Sequence, residues 1–248
     1  MKNLLICGIN GAMGKHVYNA SQKHQFNVVC GIDKQIAGST ECPVYKSFDE
    51  VRDLIDVIID FSSPDALKEI LPFALKNEVP LVLGTTGYSE EDENIIFNAS
   101  KNIPIFKSAN MSIGINLLIK LCKIAFPLLN CFDVEIIEKH HKLKEDSPSG
   151  TANLIYNHLI ECSHKKFNPI YGRNGKKRRE NFEIGIHSIR GGTVVGEHEV
   201  SFFGENESIS LIHNAQSKEL FALGALKCAE FIQNKPAKLY CMDDILNF

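Results

Sequence analysis

The sequence predicts an α/β protein that combines a parallel sheet with helical crossovers and an α+β region with a mixed, mostly antiparallel sheet. Two observations predict this fold class. Over about the first hundred residues, short apolar runs rich in β-branched side chains alternate with helical stretches, which is typical of parallel strands covered on both faces. Beyond about residue 110, three β-like runs follow one another directly, which indicates a separate, mostly antiparallel sheet.

The first part of the chain is predicted to hold five strands and three helices. The strands are short apolar runs at residues 4–7, 26–32, 56–61, 80–83 and 103–106. Helical stretches lie between them at residues 13–23, 64–76 and 89–100. Because strands joined through helices run in the same direction, this part is predicted to form one parallel sheet.

The second part begins with a predicted helix at residues 113–125 and a strand at 132–137. A helix after Pro148 then leads into a loop that extends through Gly175, and β-like runs follow at 182–190, 193–203 and 208–213. A final helix is predicted at 217–233. We therefore expect a first domain over residues 1–108, completed by the C-terminal helix at about 216–248, and a second domain over residues 109–215.

The composition argues against several classes of function. The chain of 248 residues is 44% hydrophobic and 23% charged, and its net charge of −3 does not favour nucleic-acid binding. No apolar run approaches the ~18 residues of a membrane span. Eight dispersed cysteines without a CxxC pair predict reduced thiols in the cytoplasm and no zinc site.

A glycine-rich loop follows the first predicted strand and opens the first predicted helix, over residues 8–14. Glycine lets the backbone approach a pyrophosphate that rests on the helix N-terminus. Asn10 stands where the strict pattern has glycine, and asparagine tolerates a positive φ. Asp33 ends the second strand, where an acid that binds ribose is expected. Lys34 follows it and could meet a 2′-phosphate, so the choice between NADH and NADPH stays open.

Two later loops follow strands of the same predicted sheet, at residues 61–64 and 84–87. Ligands of such sheets bind beyond the carboxyl ends of the strands. The second loop has the sequence Gly84-Thr85-Thr86-Gly87. Its backbone and hydroxyl groups are therefore candidates for the nicotinamide half of the dinucleotide.

The segment from residue 138 to residue 152 carries the most chemistry. His140 and His141 can exchange protons near neutral pH, and Lys144 can neutralise or protonate an anion. Ser149-Gly150-Thr151 lies at a predicted helix start, where unpaired N–H groups attract anions. The segment predicts an enzyme that acts on a small acidic molecule.

These motifs, in this order and spacing, closely resemble the 4-hydroxy-tetrahydrodipicolinate reductase (dihydrodipicolinate reductase) family of diaminopimelate and lysine biosynthesis. The resemblance covers nearly the whole chain. The motifs that carry it lie at residues 8–14, 60–62, 84–87, 108–114, 140–152, 189–192 and 196–198.

The resemblance implies a Rossmann-like dinucleotide-binding domain, a second domain that binds substrate and oligomerises, and a homotetramer. It implies reduction of a cyclic dicarboxylate, with His140 as catalytic acid/base and Lys144 as proton donor. The residues implied in substrate binding are His141, Lys144, Ser149, Gly150 and Thr151. Those implied in binding NADH, NADPH or both are Gly8, Ile9, Asn10, Gly11, Ala12, Met13, Asp33, Lys34, Phe61, Gly84, Thr85, Thr86, Ser108, Ala109, Asn110 and Met111.

Two departures and two alternatives accompany this resemblance. Met111 stands where many relatives carry an aromatic residue, and Lys218 stands where some carry arginine. One alternative is another two-domain nicotinamide dehydrogenase of amino-acid metabolism, although none of the cysteines has an obvious nucleophile context. The other alternative is a dinucleotide-sensing module without catalysis.

Overall fold

The computed structural model describes residues 1–36, 40–163 and 165–246. The chain divides into two compact units, and the first is assembled from both ends of the sequence. The first unit comprises Met1–Ile113 and Lys218–Phe248, and the second comprises Gly114–Ser217.

The first unit is built on a seven-stranded sheet in which all the paired strands are parallel. Its strands are β1 (Lys2–Cys7), β2 (Phe26–Ile32), β3 (Val44–Tyr45), β4 (Val57–Asp60), β5 (Leu81–Leu83), β6 (Ile105–Lys107) and β12 (Leu239–Tyr240). Their spatial order is β12-β6-β5-β4-β1-β2-β3. The predicted parallel sheet is confirmed.

Helices cover both faces of this sheet. The helices of the first unit are α1 (Ala12–Ser21), α2 (Leu67–Lys76), α3 (Glu90–Ala99), α6 (Glu219–Ile232) and α7 (Met242–Ile245), with 3₁₀ helices at Phe48–Glu50 and Pro64–Ala66. Alternate residues of β1 point to opposite faces. Leu4 and Ile6 pack in the core that contains α1 and α6, whereas Leu5 packs in the core that contains α2 and α3.

The second unit is a five-stranded mixed sheet with two helices packed on one face. Its elements are α4 (Ile113–Leu128), β7 (Asp133–His140), α5 (Gly150–Glu161), β8 (Asn168–Tyr171), β9 (Glu183–Arg190), β10 (Gly196–Phe203) and β11 (Ser208–Ala215). The strand order is β11-β10-β7-β9-β8. Apolar residues of α4 and α5 pack on Val134, Ile136 and Val200 to form its core.

The pairing in this sheet corrects one detail of the sequence interpretation. β7 pairs antiparallel with β10 but parallel with β9, and β8 also pairs parallel with β9. The sheet is therefore mixed, as predicted, but the consecutive strands β9 and β10 are not neighbours. The earlier strand β7 lies between them, and it extends to His140 instead of ending at residue 137.

Short elements were missed because they carry little periodicity. The strands β3 and β12 have two residues each, α7 has four, and β8 lies inside the segment predicted as a loop. None of the helices in the described ranges has the length and apolar character that crossing a membrane requires.

Candidate active site

The glycine loop of the first unit is closely packed at two glycines. Gly8 has a φ of +73°, and a Cβ there would lie 2.6 Å from the Phe61 carbonyl oxygen. A Cβ on Gly14 would overlap the Gly8 carbonyl oxygen. The Gly11 N–H donates to that same oxygen at 3.0 Å, which closes the turn. The loop therefore presents bare backbone at the start of α1, as a pyrophosphate requires.

Asp33 connects this loop to the end of β2. Its carboxylate accepts the N–H of Asn10 and the N–H of Gln35, both at 3.0 Å. A cavity of about 510 Å³ opens here, and six of the residues predicted to bind the dinucleotide line it. These are Gly8, Asn10, Gly11, Asp33, Lys34 and Phe61. A glycine cradle, an acid and a lysine around one cavity fit a nicotinamide dinucleotide.

Asp60, at the end of β4, holds together the two loops that follow β4 and β5. It is fully buried, and its carboxylate accepts the Ser62 N–H at 3.0 Å and the Tyr88 hydroxyl at 3.3 Å. Burial raises the pKa of Asp60, and the hydrogen bonds from Ser62, Thr85 and Tyr88 oppose that rise. The sequence placed Asp60 in a motif without giving it a role.

The other residues predicted to contact the dinucleotide lie outside the lining of this cavity. Gly84, Thr85 and Thr86 follow β5, and Ser108 to Met111 follow β6, which places both segments beyond the carboxyl ends of parallel strands. Thr86, Ala12 and Ala109 are exposed, and Met13 is partly buried. Ile9 and Met111 are buried in the core, where the Met111 sulfur lies 4.0 Å from that of Cys228. The side chains of Ile9 and Met111 therefore belong to the core.

In the second unit, Glu138 and His140 lie two residues apart on β7 and therefore share one face of the sheet. His140 Nδ1 lies 2.5 Å from Glu138 Oε2. Arg190 at the end of β9 donates to both carboxylate oxygens of Glu138, Nη2 to Oε1 at 2.7 Å and Nη1 to Oε2 at 2.8 Å. Glu138 is fully buried, and the Arg190 guanidinium compensates its charge while His140 provides a further hydrogen-bond partner.

These contacts determine the charges of the pair. Burial raises the pKa of Glu138, but hydrogen bonds from Arg190, Ser188, His140 and the Ser149 N–H outweigh burial and lower that pKa to about 2. Burial lowers the pKa of His140, although the hydrogen bond to Glu138 opposes this change. At neutral pH the pair therefore combines a carboxylate with a neutral imidazole.

Ser149 connects the start of α5 to this pair. Its hydroxyl accepts the Ala152 N–H at 3.1 Å as the N-cap, and its own N–H donates to Glu138 Oε1 at 3.2 Å. The same hydroxyl lies 3.1 Å from His198 Nε2. The rings of His198 and His140 meet edge to face at 5.2 Å. Burial and the neighbouring His140 lower the pKa of His198 to about 4.

A third cluster lies at the N-terminus of α5. Lys144 Nζ donates to Asp146 Oδ1 at 2.7 Å, and the Gly150 N–H also hydrogen-bonds the Asp146 carboxylate. The Asp146 carbonyl oxygen accepts a bond from Arg190 at 2.7 Å. His141 has a buried Nδ1 that finds no hydrogen-bond partner within the described part of the chain. The cluster shows that Lys144 and the start of α5 can hold a carboxylate together.

The structure thus groups His140, Lys144, Ser149 and Gly150 in one region of the second unit, with Thr151 in the first turn of α5. Sequence reasoning missed the roles of Glu138, Arg190 and His198. The spacing of Glu138 and His140 was the available signal, because residues i and i+2 of a strand share a face. Among the residues that the structure describes, no three histidine, cysteine or acidic side chains are grouped as metal ligands.

The glycine cradle in a parallel sheet and the histidine–carboxylate–lysine cluster together define an oxidoreductase that uses a nicotinamide dinucleotide. Comparison with known families identifies it further. The chain belongs to the dihydrodipicolinate reductase family: family models described as "Dihydrodipicolinate reductase, N-terminus" and "Dihydrodipicolinate reductase, C-terminus" match residues 2–111 and 114–246.

Curated relatives agree over the whole chain. A 4-hydroxy-tetrahydrodipicolinate reductase of Caldanaerobacter subterraneus subsp. tengcongensis is 47% identical, over 99% of this chain and 98% of its own length. One from Clostridium tetani is 46% identical, over 100% of this chain and 98% of its own length. The resemblance stated from the sequence, and with it the predicted reductase, is confirmed.

Solved structures share the fold. A dipicolinate-bound dihydrodipicolinate reductase from Paenisporosarcina sp. TG-14 matches with a TM-score of 0.84 and 24% identity, over 99% of both chains. A probable dehydrogenase from Thermotoga maritima matches with a TM-score of 0.63 and 10% identity, over 96% of this chain and 91% of its own. At these identities the likeness concerns the fold alone, and it confirms the predicted α/β class.

Proposed function

We propose that this protein reduces 4-hydroxy-tetrahydrodipicolinate to tetrahydrodipicolinate, with loss of water, in diaminopimelate and lysine biosynthesis. One observation carries the proposal: in a chain related over its full length to reductases of that name, His140 and Lys144 lie beside a helix start that holds a carboxylate. NADH, NADPH or both serve as the reductant.

The substrate is a cyclic dicarboxylate, and the helix start offers the chemistry to bind it. One carboxylate is bound by the N–H groups of Gly150 and Thr151 and by the charge of Lys144. The contact of Lys144 and Gly150 with the Asp146 carboxylate supports this assignment. His141, with its buried and unsatisfied Nδ1 in the described structure, is available for a further polar contact.

A nicotinamide dinucleotide held by the glycine loop would supply the hydride for the ring carbon that loss of the 4-hydroxyl leaves electrophilic. Lys144 donates a proton as charge moves into the conjugated ring, and His140 exchanges protons as acid and base. The glycine loop over residues 8–13, with Asp33 and Lys34, holds the dinucleotide. Residues 84–86 and 108–111 line its nicotinamide side.

We assign residues 1–108 and about 216–248 to the dinucleotide-binding domain, and residues 109–215 to substrate binding and oligomerisation. The sheet face opposite α4 and α5 supports the oligomerisation role, because it exposes Ile189 and Ile212, at 49% and 54% of their surface. A homotetramer is expected, and sedimentation equilibrium should return four times the 27.7 kDa chain mass.

A coupled assay tests the function. The preceding synthase condenses pyruvate with aspartate semialdehyde, this protein is added, and oxidation of NADH or NADPH is followed by absorbance. Lys144→Ala should lower turnover on the order of 10²–10⁴-fold if Lys144 is a general acid. Lys142→Ala, at an exposed neighbour, is the matched control. Oxidation that does not depend on the synthase, or full turnover by Lys144→Ala, would refute these assignments.

Cofactor choice is tested at the acid that ends β2. Asp33→Ala should weaken the binding of NADH more than that of NADPH, because a carboxylate accepts hydrogen bonds from the ribose hydroxyls and repels a 2′-phosphate. Lys34→Ala should weaken the binding of NADPH more than that of NADH. The KM of each cofactor measures both changes. Equal losses in Asp33→Ala would mean that Asp33 acts only through the N–H groups of Asn10 and Gln35.

A further inference from the structure

We propose that Glu138 is a positioning residue for His140: its carboxylate holds the proton of the neutral imidazole on Nδ1 and leaves Nε2 to exchange a proton with the substrate. The inference rests on the proposed function, because it assigns the working atom of the residue that exchanges protons there. It gives chemical roles to a buried carboxylate and an arginine that were otherwise unassigned.

The contact distances and the burial of Glu138 carry the first step. An ionised carboxylate can only accept hydrogen bonds. Its two oxygens accept two bonds from Arg190 and one from the Ser149 N–H, so Glu138 is held as the anion. His140 Nδ1 lies 2.5 Å from Oε2 and must be the donor in this contact. A neutral imidazole that carries its hydrogen on Nδ1 has its lone pair on Nε2.

The surroundings of Nε2 provide the second step. Gly196 on β10 lies beside this nitrogen, and a Cβ placed on it would lie 3.1 Å from Nε2. Any side chain at this position would crowd the nitrogen, whereas glycine leaves its approach open. The ring of His198 packs against His140 edge to face, which fixes the plane of the imidazole from a second direction.

The charges around His140 come from four elements. Glu138 on β7 raises the pKa of His140, whereas Lys144 in the loop before α5 and Arg190 on β9 lower it, in the same direction as burial. His198 on β10 faces the same ring and has its own pKa lowered to about 4. Beyond these groups, Asp146 pairs with Lys144, and His213 contributes to lowering the pKa of His198.

This arrangement supports a reversible proton transfer. Nε2 accepts a proton from the substrate, and the imidazolium that forms keeps its Nδ1–H bonded to the Glu138 carboxylate. That proton comes from the ring carbon beside the 4-hydroxyl and returns from Nε2 to the hydroxyl as it leaves as water, so His140 gains and loses none over a turnover. The proton that balances the hydride comes from Lys144. Glu138 contacts neither substrate nor dinucleotide in this scheme, and it acts only through His140.

The tautomer can be measured without any substrate. Nitrogen-15 magic-angle-spinning spectra of the protein labelled only at its nine histidines distinguish a protonated Nδ1 from a protonated Nε2, and His140→Gln identifies the signals. The proposal expects Nδ1–H in the wild type. In Glu138→Gln the amide can both donate and accept, so Nε2–H should appear. A wild-type His140 with Nε2–H overturns the proposal.

The kinetic arm separates positioning from a structural role. Glu138→Gln should lower kcat on the order of 10²-fold with little change in KM. The acid limb of the kcat–pH profile of this variant should move to lower pH, because the Glu138 carboxylate that raises the pKa of His140 is gone while Arg190, which lowers it, remains. Glu135→Gln is the matched control, since Glu135 contacts His187 at 2.7 Å on the opposite face of β7. It should leave the pH profile unchanged.

Each outcome decides one claim. If Glu138→Gln is unfolded by circular dichroism, Glu138→Asp keeps the charge beside Arg190 but withdraws it from Nδ1, and it should show the same tautomer change. A Glu138→Gln enzyme with wild-type kcat and pH profile overturns the proposal. A wild type with Nδ1–H but no turnover in the coupled assay refutes the proposed function and leaves the positioning intact.

Discussion

At the scale of single residues, Asp146 occupies the position that we propose for a substrate carboxylate. Its side chain pairs with Lys144 and with the Gly150 N–H, while its carbonyl oxygen is held by Arg190. The pairing lowers the pKa of Asp146, so it stays ionised at neutral pH. At the proposed site, we therefore expect the substrate to compete with a carboxylate that belongs to the protein itself.

Removing this internal carboxylate should strengthen substrate binding. Asp146→Asn keeps the size of the side chain but loses its charge, and we expect KM to fall by about two- to fivefold, since an exposed ion pair contributes up to about 1 kcal/mol. Steady-state kinetics measures this change, with the exposed neighbour Glu145→Gln as control. A higher KM would instead mean that Asp146 holds Lys144 in place for the substrate.

At the scale of elements, the start of α5 is fixed by one side chain. Ser149 is buried, caps the helix through the Ala152 N–H, binds Glu138 through its own N–H and contacts His198. A helix start that binds anions is thus attached to the strand that carries His140. The positions of the Ser149 cap, the Glu138 carboxylate and the His140 imidazole therefore depend on one another.

Ser149→Ala should affect both stability and activity. Loss of a cap hydroxyl costs about 1 kcal/mol of unfolding free energy, and the tie between α5 and His198 is lost as well. The control is Ser89→Ala, because Ser89 caps α3 through the Asp92 N–H at 3.1 Å on an exposed surface. Urea unfolding should shift in both variants, but kcat/KM should fall only in Ser149→Ala. Equal activities would contradict this view of α5.

Strand pairing marks the limit of prediction from this sequence. The helix start at Ser149 is a local pattern and was predicted, whereas the strand was expected to end at residue 137, before Glu138 and His140. The ion pair of Glu138 with Arg190 depends on the parallel register of β7 and β9, in which His140 lies opposite Arg190. This register is set by packing across 50 residues of sequence, and no local propensity encodes it.

At the scale of the whole molecule, buried imidazoles should make stability depend on pH. The pKa of His198 is about 4 in the folded protein and about 6.5 in an unfolded chain. Between these values the unfolded state binds the proton and the folded state does not. The free energy of unfolding therefore falls as pH drops from 6.5 to 4, by about 3 kcal/mol from this group.

Unfolding at several pH values tests this expectation. The chain has no tryptophan, so circular dichroism follows urea unfolding between pH 7 and pH 4.5. His198→Gln should flatten the dependence, and His158→Gln, on α5 outside the cluster, is the control. Parallel curves for wild type and His198→Gln would show that His198 does not carry the effect. The depressed pKa of Glu138 adds a further loss only below about pH 4.3.

The fold class was predictable because periodicity and the order of elements are properties of the sequence. The parallel sheet of the first unit followed from strands alternating with helices, and each of β1, β2, β4, β5 and β6 was expected within a few residues. The short strands β3 and β12 were not, because two residues carry no period. They pair only because β2 and β6 offer open edges.

The packing of α6 has a consequence for synthesis on the ribosome. Ala222, Ala225, Leu226, Ala229 and Ile232 of α6 complete one core of the first unit. That unit therefore lacks part of its core until the last segment emerges, whereas all of Gly114–Ser217 is already made. We expect the second unit, Gly114–Ser217, to fold before the first unit. Nascent chains stalled beyond residue 217, with that residue clear of the exit tunnel, should resist protease over 114–217 but not over 1–113, and the reverse pattern would refute this order.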